Sequence, residues 1–241
     1  MKILYFDIET LPAAESSYET LRTIFDKKQA KKSLLNGGNG NGNGNASGEV
    51  VEVDPEKAFE EYVRGTSFDG AFGRVLCIAY AVNDEPMRVI CNPDNEKKTI
   101  EDFWFVAAQC DLFVGHNIMD FDMRFILQRS MILGVKPTWQ RFGKKEWNNP
   151  DQKYLSFARY QHMPMFDTMH EWAAWGGSRG GGLGLEHIAL AMGIASPKDG
   201  GIDGAQVYDF YKAGKVTEIC DYCKRDVETT RAVYKKMVFA V

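Results

Sequence analysis

No stretch of this 241-residue chain approaches the roughly 20 consecutive apolar residues that a membrane-crossing helix needs. Met1-Lys2 runs straight into an apolar strand pattern instead of a leader, so the sequence predicts a cytoplasmic protein with no membrane partner. Five cysteines, an odd number at irregular spacing, offer no disulfide framework and suit a reducing compartment. Cys220 and Cys223 form a lone C-x-x-C. With no second such pair and no H-x-x-x-H, apolar helix packing is expected of them, not zinc. A basic excess is also missing: 29 Lys and Arg face 33 Asp and Glu, for a net charge of -4. That argues against passive coating of duplex DNA, but not against an enzyme whose bound cations offset phosphate and carboxylate charge.

What is present begins with Asp7-Ile8-Glu9-Thr10, which closes the apolar run Ile3-Leu4-Tyr5-Phe6. Strand alternation puts Asp7 and Glu9 on one face. Adjacent carboxylates repel and raise each other's pKa, and no Lys or Arg lies within the stretch to offset them. A divalent cation would do so. Apolar residues on both faces of the run predict a central strand, with the acids emerging at its C-terminal end.

The chain is long enough for one domain over 1–241, with the Asn/Gly-rich run at about 36–48 as a flexible insertion that has nothing to bury. A helix is expected from Ser17 to about Leu35. Arg74–Ala81 reads as a buried strand with a hairpin partner at Met87–Cys91. A helix capped by Thr99 should run to about Gln109, followed by a strand at Leu112–Gly115 and a helix at Asp122–Leu133. Lys136–His162 interleaves aromatic and basic residues. Such a mixture suits either single-stranded nucleic acid or a partly buried loop with solvated cations. Phe166–Met169 reads as a last strand. The glycine-rich stretch Gly176–Gly184 lacks the Lys-Ser/Thr of a P-loop and reads as a joint. Helices are expected at Leu185–Met192, Gly204–Ala213 and Val216–Met237. Strands early and helices late predict an α/β fold, a mixed central sheet flanked by helices.

Two more acids belong with the first pair. Asp122, in His116-Asn117-Ile118-Met119-Asp120-Phe121-Asp122, falls between strand and helix, where an N-cap would be an ordinary role. It also falls at the sheet edge from which Asp7 and Glu9 emerge. Tyr222 and Asp226 are four apart on the last helix and share a face beside its apolar stripe.

D-x-E on the first strand, then N-x-x-x-F-D, then Y-x-x-x-D near the C-terminus resembles the three motifs of DnaQ-like, DEDDy-type 3′–5′ exonucleases, which have an RNase H-like fold. Lys198-Asp199-Gly200-Gly201-Ile202-Asp203-Gly204 is similar to the stand-alone group related to the proofreading domain of family B DNA polymerases, although it carries an extra Gly. The resemblance implies that Asp7, Glu9, Asp122 and Asp226 bind two divalent cations, Mg²⁺ or Mn²⁺, and that Tyr222 stands where the other subclass uses a histidine. That histidine would fall at Asp221. Asp120 is set aside because the motif puts the acid directly after Phe121. Thr10 and Leu11 would grip the terminal nucleotide, while Asn117 and Phe121 would line its sugar and base. The implied activity is removal of nucleoside 5′-monophosphates from the 3′ end of single-stranded or frayed DNA by a two-metal mechanism. RNA is the alternative substrate, and a non-catalytic nucleic-acid-binding or scaffold subunit the further alternative. Replication or repair proteins would act in trans.

Overall fold

A computed structural model describes residues 1–37, 54–137, 165–174, 184–196 and 201–240. Most of the Asn/Gly-rich run, the aromatic and basic stretch beyond Pro137, the glycine-rich stretch before Gly184 and Lys198–Gly200 lie outside them. The described chain forms two units, one of Met1–Thr10 with Val75–Val241, the other of Leu11–Arg74.

The first unit is built on a five-stranded mixed sheet of order β3-β2-β1-β4-β5, with β1 (Ile3–Leu11) in the centre. β2 (Arg74–Val82) and β3 (Arg88–Cys91) pair antiparallel, so that Cys77 lies opposite Cys91. β4 (Leu112–Gly115) runs parallel to both β1 and β5 (Met165–Asp167). Alternation along β1 divides its side chains. Leu4, Phe6 and Ile8 join the large core under α3 (Glu96–Ala107) and α4 (Asp122–Leu133), where Phe6 packs on Phe103 with ring centroids 5.0 Å apart. On the other face Tyr5 meets Tyr234 edge-on at 5.5 Å. Tyr234 belongs to the last helix; with α5 (Thr168–Trp172), α6 (Leu185–Ala191) and α7 (Val207–Lys212) before it, that helix is α8 (Val216–Met237).

Most expected elements form where the pattern puts them, and the exceptions have local causes. Thr99 does not cap α3. Asn95 does, its side chain accepting the Lys98 N–H at 3.1 Å, so the helix starts earlier. Thr99 is buried, and its hydroxyl accepts the Asn92 N–H. The first turn of the helix expected at Gly204–Ala213 is 3₁₀, set by an Asp203 capping box, and α7 follows it. α4 ends at Gly134, which takes the left-handed conformation (φ 65°) that a residue with a Cβ adopts only under strain.

In the second unit α1 (Tyr18–Gly37) and α2 (Pro55–Gly65) pack through Leu21, Phe25, Phe59 and Val63. α2 is absent from the pattern reading, yet its start carries a local signal: an Asp54 cap followed by Pro55.

One buried ion pair ties the first unit together. Arg129 of α4 donates from Nε and Nη2 to the two oxygens of Glu96 on α3, each at 2.8 Å, and the Val75 N–H donates to the same carboxylate at 2.8 Å. The side chains are 8% and 13% exposed. Glu96→Ala leaves a buried guanidinium uncompensated, and the expected loss is about 3–5 kcal/mol of stability. Urea denaturation checks it; a loss below about 1 kcal/mol would put the pair in the class of solvated surface contacts.

Candidate active site

Odd-numbered residues of β1 face α8, and near the strand's end this alternation presents Asp7 and Glu9 together. The strand continues two residues past Glu9, to Leu11, so the acids lie within it and not at its tip. On α8, Cys223 comes against Asp7, its thiol shared between the Asp7 backbone carbonyl at 3.4 Å and the carboxylate Oδ2 at 3.5 Å. One ligand atom each from Asp7, Glu9 and Cys223 lie mutually within 4.8 Å.

Asp122 arrives from the other side of β1. It is the first residue of α4 and not its N-cap, a position held by Phe121 without a side-chain bond. Its carboxylate instead accepts the Ile8 N–H at 3.1 Å, between the two β1 acids, and it is 3% exposed. Asp120, two residues earlier, is exposed and pairs with His170 at 2.9 Å. Tyr222 is buried on α8, with Asp226 one turn on.

The electrostatics follow from this crowding. Burial, and then the charges of Cys223, Asp122, Asp226 and Glu9, hold the Asp7 carboxyl well above the usual carboxylate range. Burial, then Asp226 and Asp122, do the same to Glu9. Asp122 is pushed up to about 8, chiefly by burial, even though its own N–H and that of Ile8 favour the ionised form. The Tyr222 hydroxyl is raised by burial and by Asp226, Glu9 and Asp7, so it stays protonated at neutral pH. Acids, thiols and burial act on Asp7 and Glu9, and all of them disfavour charge. Such a donor set fits a hard divalent cation, which would restore all the carboxylates to their ionised form.

The loop before Asp122 is held from β5. Asp167, 2% exposed, accepts the N–H groups of Asn117 and Met119 at 3.0 Å each and those of Met169 and His170 at the start of α5. A Cβ on Gly115 would meet the Ile118 Cβ at 2.8 Å, so only glycine lets this loop fold back so closely. Asn117 takes a positive φ of 60°, and its side-chain Oδ1 is buried with no partner among the described residues. Of the other residues expected to bind substrate, Phe121 is half-buried and stacks near Phe125, Thr10 is half-buried on β1, and Leu11 is buried. The sequence reading passed over Asp167 and Cys223. An Asp between a short strand and a helix start was the signal for the first. For the second there was none, since its meaning depends on what faces α8.

A central strand of a mixed sheet with acids on it, more acids on flanking helices and helices over both faces define an RNase H-like α/β fold. Over 99% of its length the chain superposes with a TM-score of 0.59 on the family B DNA polymerase from the hyperthermophilic archaeon Pyrobaculum calidifontis, at 16% identity. It spans only 24% of that polymerase. The chain belongs to the family described as predicted 3′–5′ exonucleases related to the exonuclease domain of PolB, which it matches over residues 70–240. The match takes in Asp122, Tyr222 and Asp226; Asp7 and Glu9 precede it. No curated protein is significantly similar to the chain. No helix among the described residues is long and apolar enough to cross a membrane.

Two outcomes are expected. Without metal, the unfolded chain ionises these carboxyls near pH 4, whereas the folded chain holds Asp122 protonated up to about pH 8. The unfolded state therefore binds fewer protons between these values, and folding stability falls as the pH rises through them. Melting temperatures from pH 5 to pH 8 check this: Asp122→Asn flattens the fall, and added Mn²⁺ opposes it at the alkaline end. Asp167→Ala strips four backbone N–H groups of their acceptor and is expected to destabilise by about 2–4 kcal/mol, read by urea denaturation.

Proposed function

We propose that the chain is a metal-dependent 3′–5′ exonuclease acting on single-stranded or frayed DNA and releasing nucleoside 5′-monophosphates. The observation that carries this reading is the convergence of Asp7, Glu9 and Asp122 on one buried point of the central strand, with Asp226 and Tyr222 facing it from α8. Their mutual elevation of pKa is the signature of acids arranged for cations. When bound, two divalent cations would supply a water acidic enough to attack at neutral pH and positive charge opposite the leaving 3′-oxygen.

The chain's residues have separate tasks in this scheme. Asp7 would serve both cations, Glu9 and Asp226 the one that activates water, and Asp122 the other, largely through water. Tyr222, protonated at neutral pH, donates a hydrogen bond that orients the nucleophile and is no candidate for the base. Oxygen donors favour Mg²⁺ or Mn²⁺. The Oδ1 of Asn117, buried and without a partner among the described residues, and the ring of Phe121 suit contact with the terminal sugar and base, and Thr10 and Leu11 lie beside the acids on β1.

The test uses two 5′-labelled single strands of matched sequence, one DNA and one RNA, with Mg²⁺ or Mn²⁺. Wild type is expected to give a shortening ladder, faster on DNA. Asp7→Ala should slow it by about a thousandfold and Tyr222→Phe by about a hundredfold. A faster RNA ladder would reassign the substrate. Metal and nucleic-acid binding without any ladder would leave a non-catalytic binding subunit.

A further inference from the structure

Among the described residues, Cys223 is the one donor in the site that belongs to neither the carboxylate set nor Tyr222. It lies next to Tyr222 in sequence, is fully buried, and has its sulfur 3.5 Å from Asp7 Oδ2 and within 4.8 Å of a Glu9 oxygen. Behind the sulfur lie Cys77 and Ala79, both on β2. The Cys223 proton points at the same Asp7 carboxylate that a cation would occupy, so the cation and the proton compete for one place.

We propose that Cys223 is a metal ligand at the Asp7–Glu9 end of the site, and that its sulfur biases that end toward thiophilic divalent cations over Mg²⁺. The inference rests on the reading of the acids as metal ligands. On binding, the S–H bond breaks heterolytically, the sulfur lone pair goes to the cation and the proton leaves to solvent. A thiolate adds little affinity for a hard cation such as Mg²⁺ or Mn²⁺ and much for Zn²⁺ or Cd²⁺. Cys223 therefore sets which cation the enzyme takes when several compete.

The test is titration of the full chain with Cd²⁺, followed by calorimetry and by the sulfur-to-cadmium charge-transfer band in the near ultraviolet. Wild type, Cys223→Ser, Cys220→Ser and Asp7→Ala are compared. Cys220 is the control because it lies beside Cys77 and Cys91 in the neighbouring thiol cluster. The band is expected in wild type and Cys220→Ser, weakened in Asp7→Ala and absent in Cys223→Ser, which should still bind cadmium through its carboxylates. The ratio of Cd²⁺ to Mg²⁺ affinity should fall about tenfold in Cys223→Ser. Binding that needs Asp7 but shows no band overturns the proposal and leaves the carboxylate site intact. So does a band that survives Cys223→Ser. Should Cys223→Ser fail to fold, the other three proteins decide: a band that needs Cys220 and not Asp7 belongs to the thiol cluster and sinks the proposal. No cation binding at all would overturn the metal reading and this inference together.

Discussion

The constraint on which the site depends is that carboxyl groups have been buried together and that, among the described residues, the groups acting on Asp7 and Glu9 include no cation. Desolvation alone would keep such groups neutral, and each neighbour adds to the penalty for ionising. The fold accepts this because Asp7 and Glu9 ride on the central strand, whose other face is anchored by Leu4, Phe6 and Ile8 in the main core. The strand cannot bend the acids out to solvent without giving up that packing. A cation therefore finds donors already in place, and the ordering entropy has been met by folding.

Around this strand the chain places rigid supports. Asp122 is tied to the middle of the pair by the Ile8 N–H, so its distance from Asp7 and Glu9 follows the strand and not the mobility of a loop. The turn that leads to it closes on Gly115 and hangs from the Asp167 carboxylate. Asp167 is itself the N-cap of α5, so one side chain joins the end of β5, a helix start and the approach to Asp122. From the opposite face α8 brings Tyr222, Cys223 and Asp226. Farther along it, Tyr234 packs on Tyr5 and Phe166, and Val233 packs with Ile188 of α6.

The thiols show where a composition argument stops. A lone C-x-x-C is poor evidence for any site, and Cys77 and Cys91 look unrelated to it in sequence. The antiparallel register of β2 and β3 sets Cys77 opposite Cys91, and both lie near the α8 thiols Cys220 and Cys223. Cys77 and Cys91 are fourteen positions apart, and both are far more distant from α8, so local spacing carries no trace of the cluster.

Local periodicity determined a good part of the molecule. A period of two put Asp7 and Glu9 on one face, four residues' spacing put Tyr222 and Asp226 on another, and runs of apolar residues marked β1, β2, β4, α4 and α8. These features are legible because each depends on neighbours within one or two turns of chain. Tertiary structure alone decided the rest: that Asp122 bonds to a backbone N–H 114 residues away, that Asp167 holds the turn before it, and that Cys223 meets Asp7 across 216 residues. Such contacts depend on sheet order and on which helix covers which face. No short window of sequence encodes either, because both are settled by packing the whole core at once.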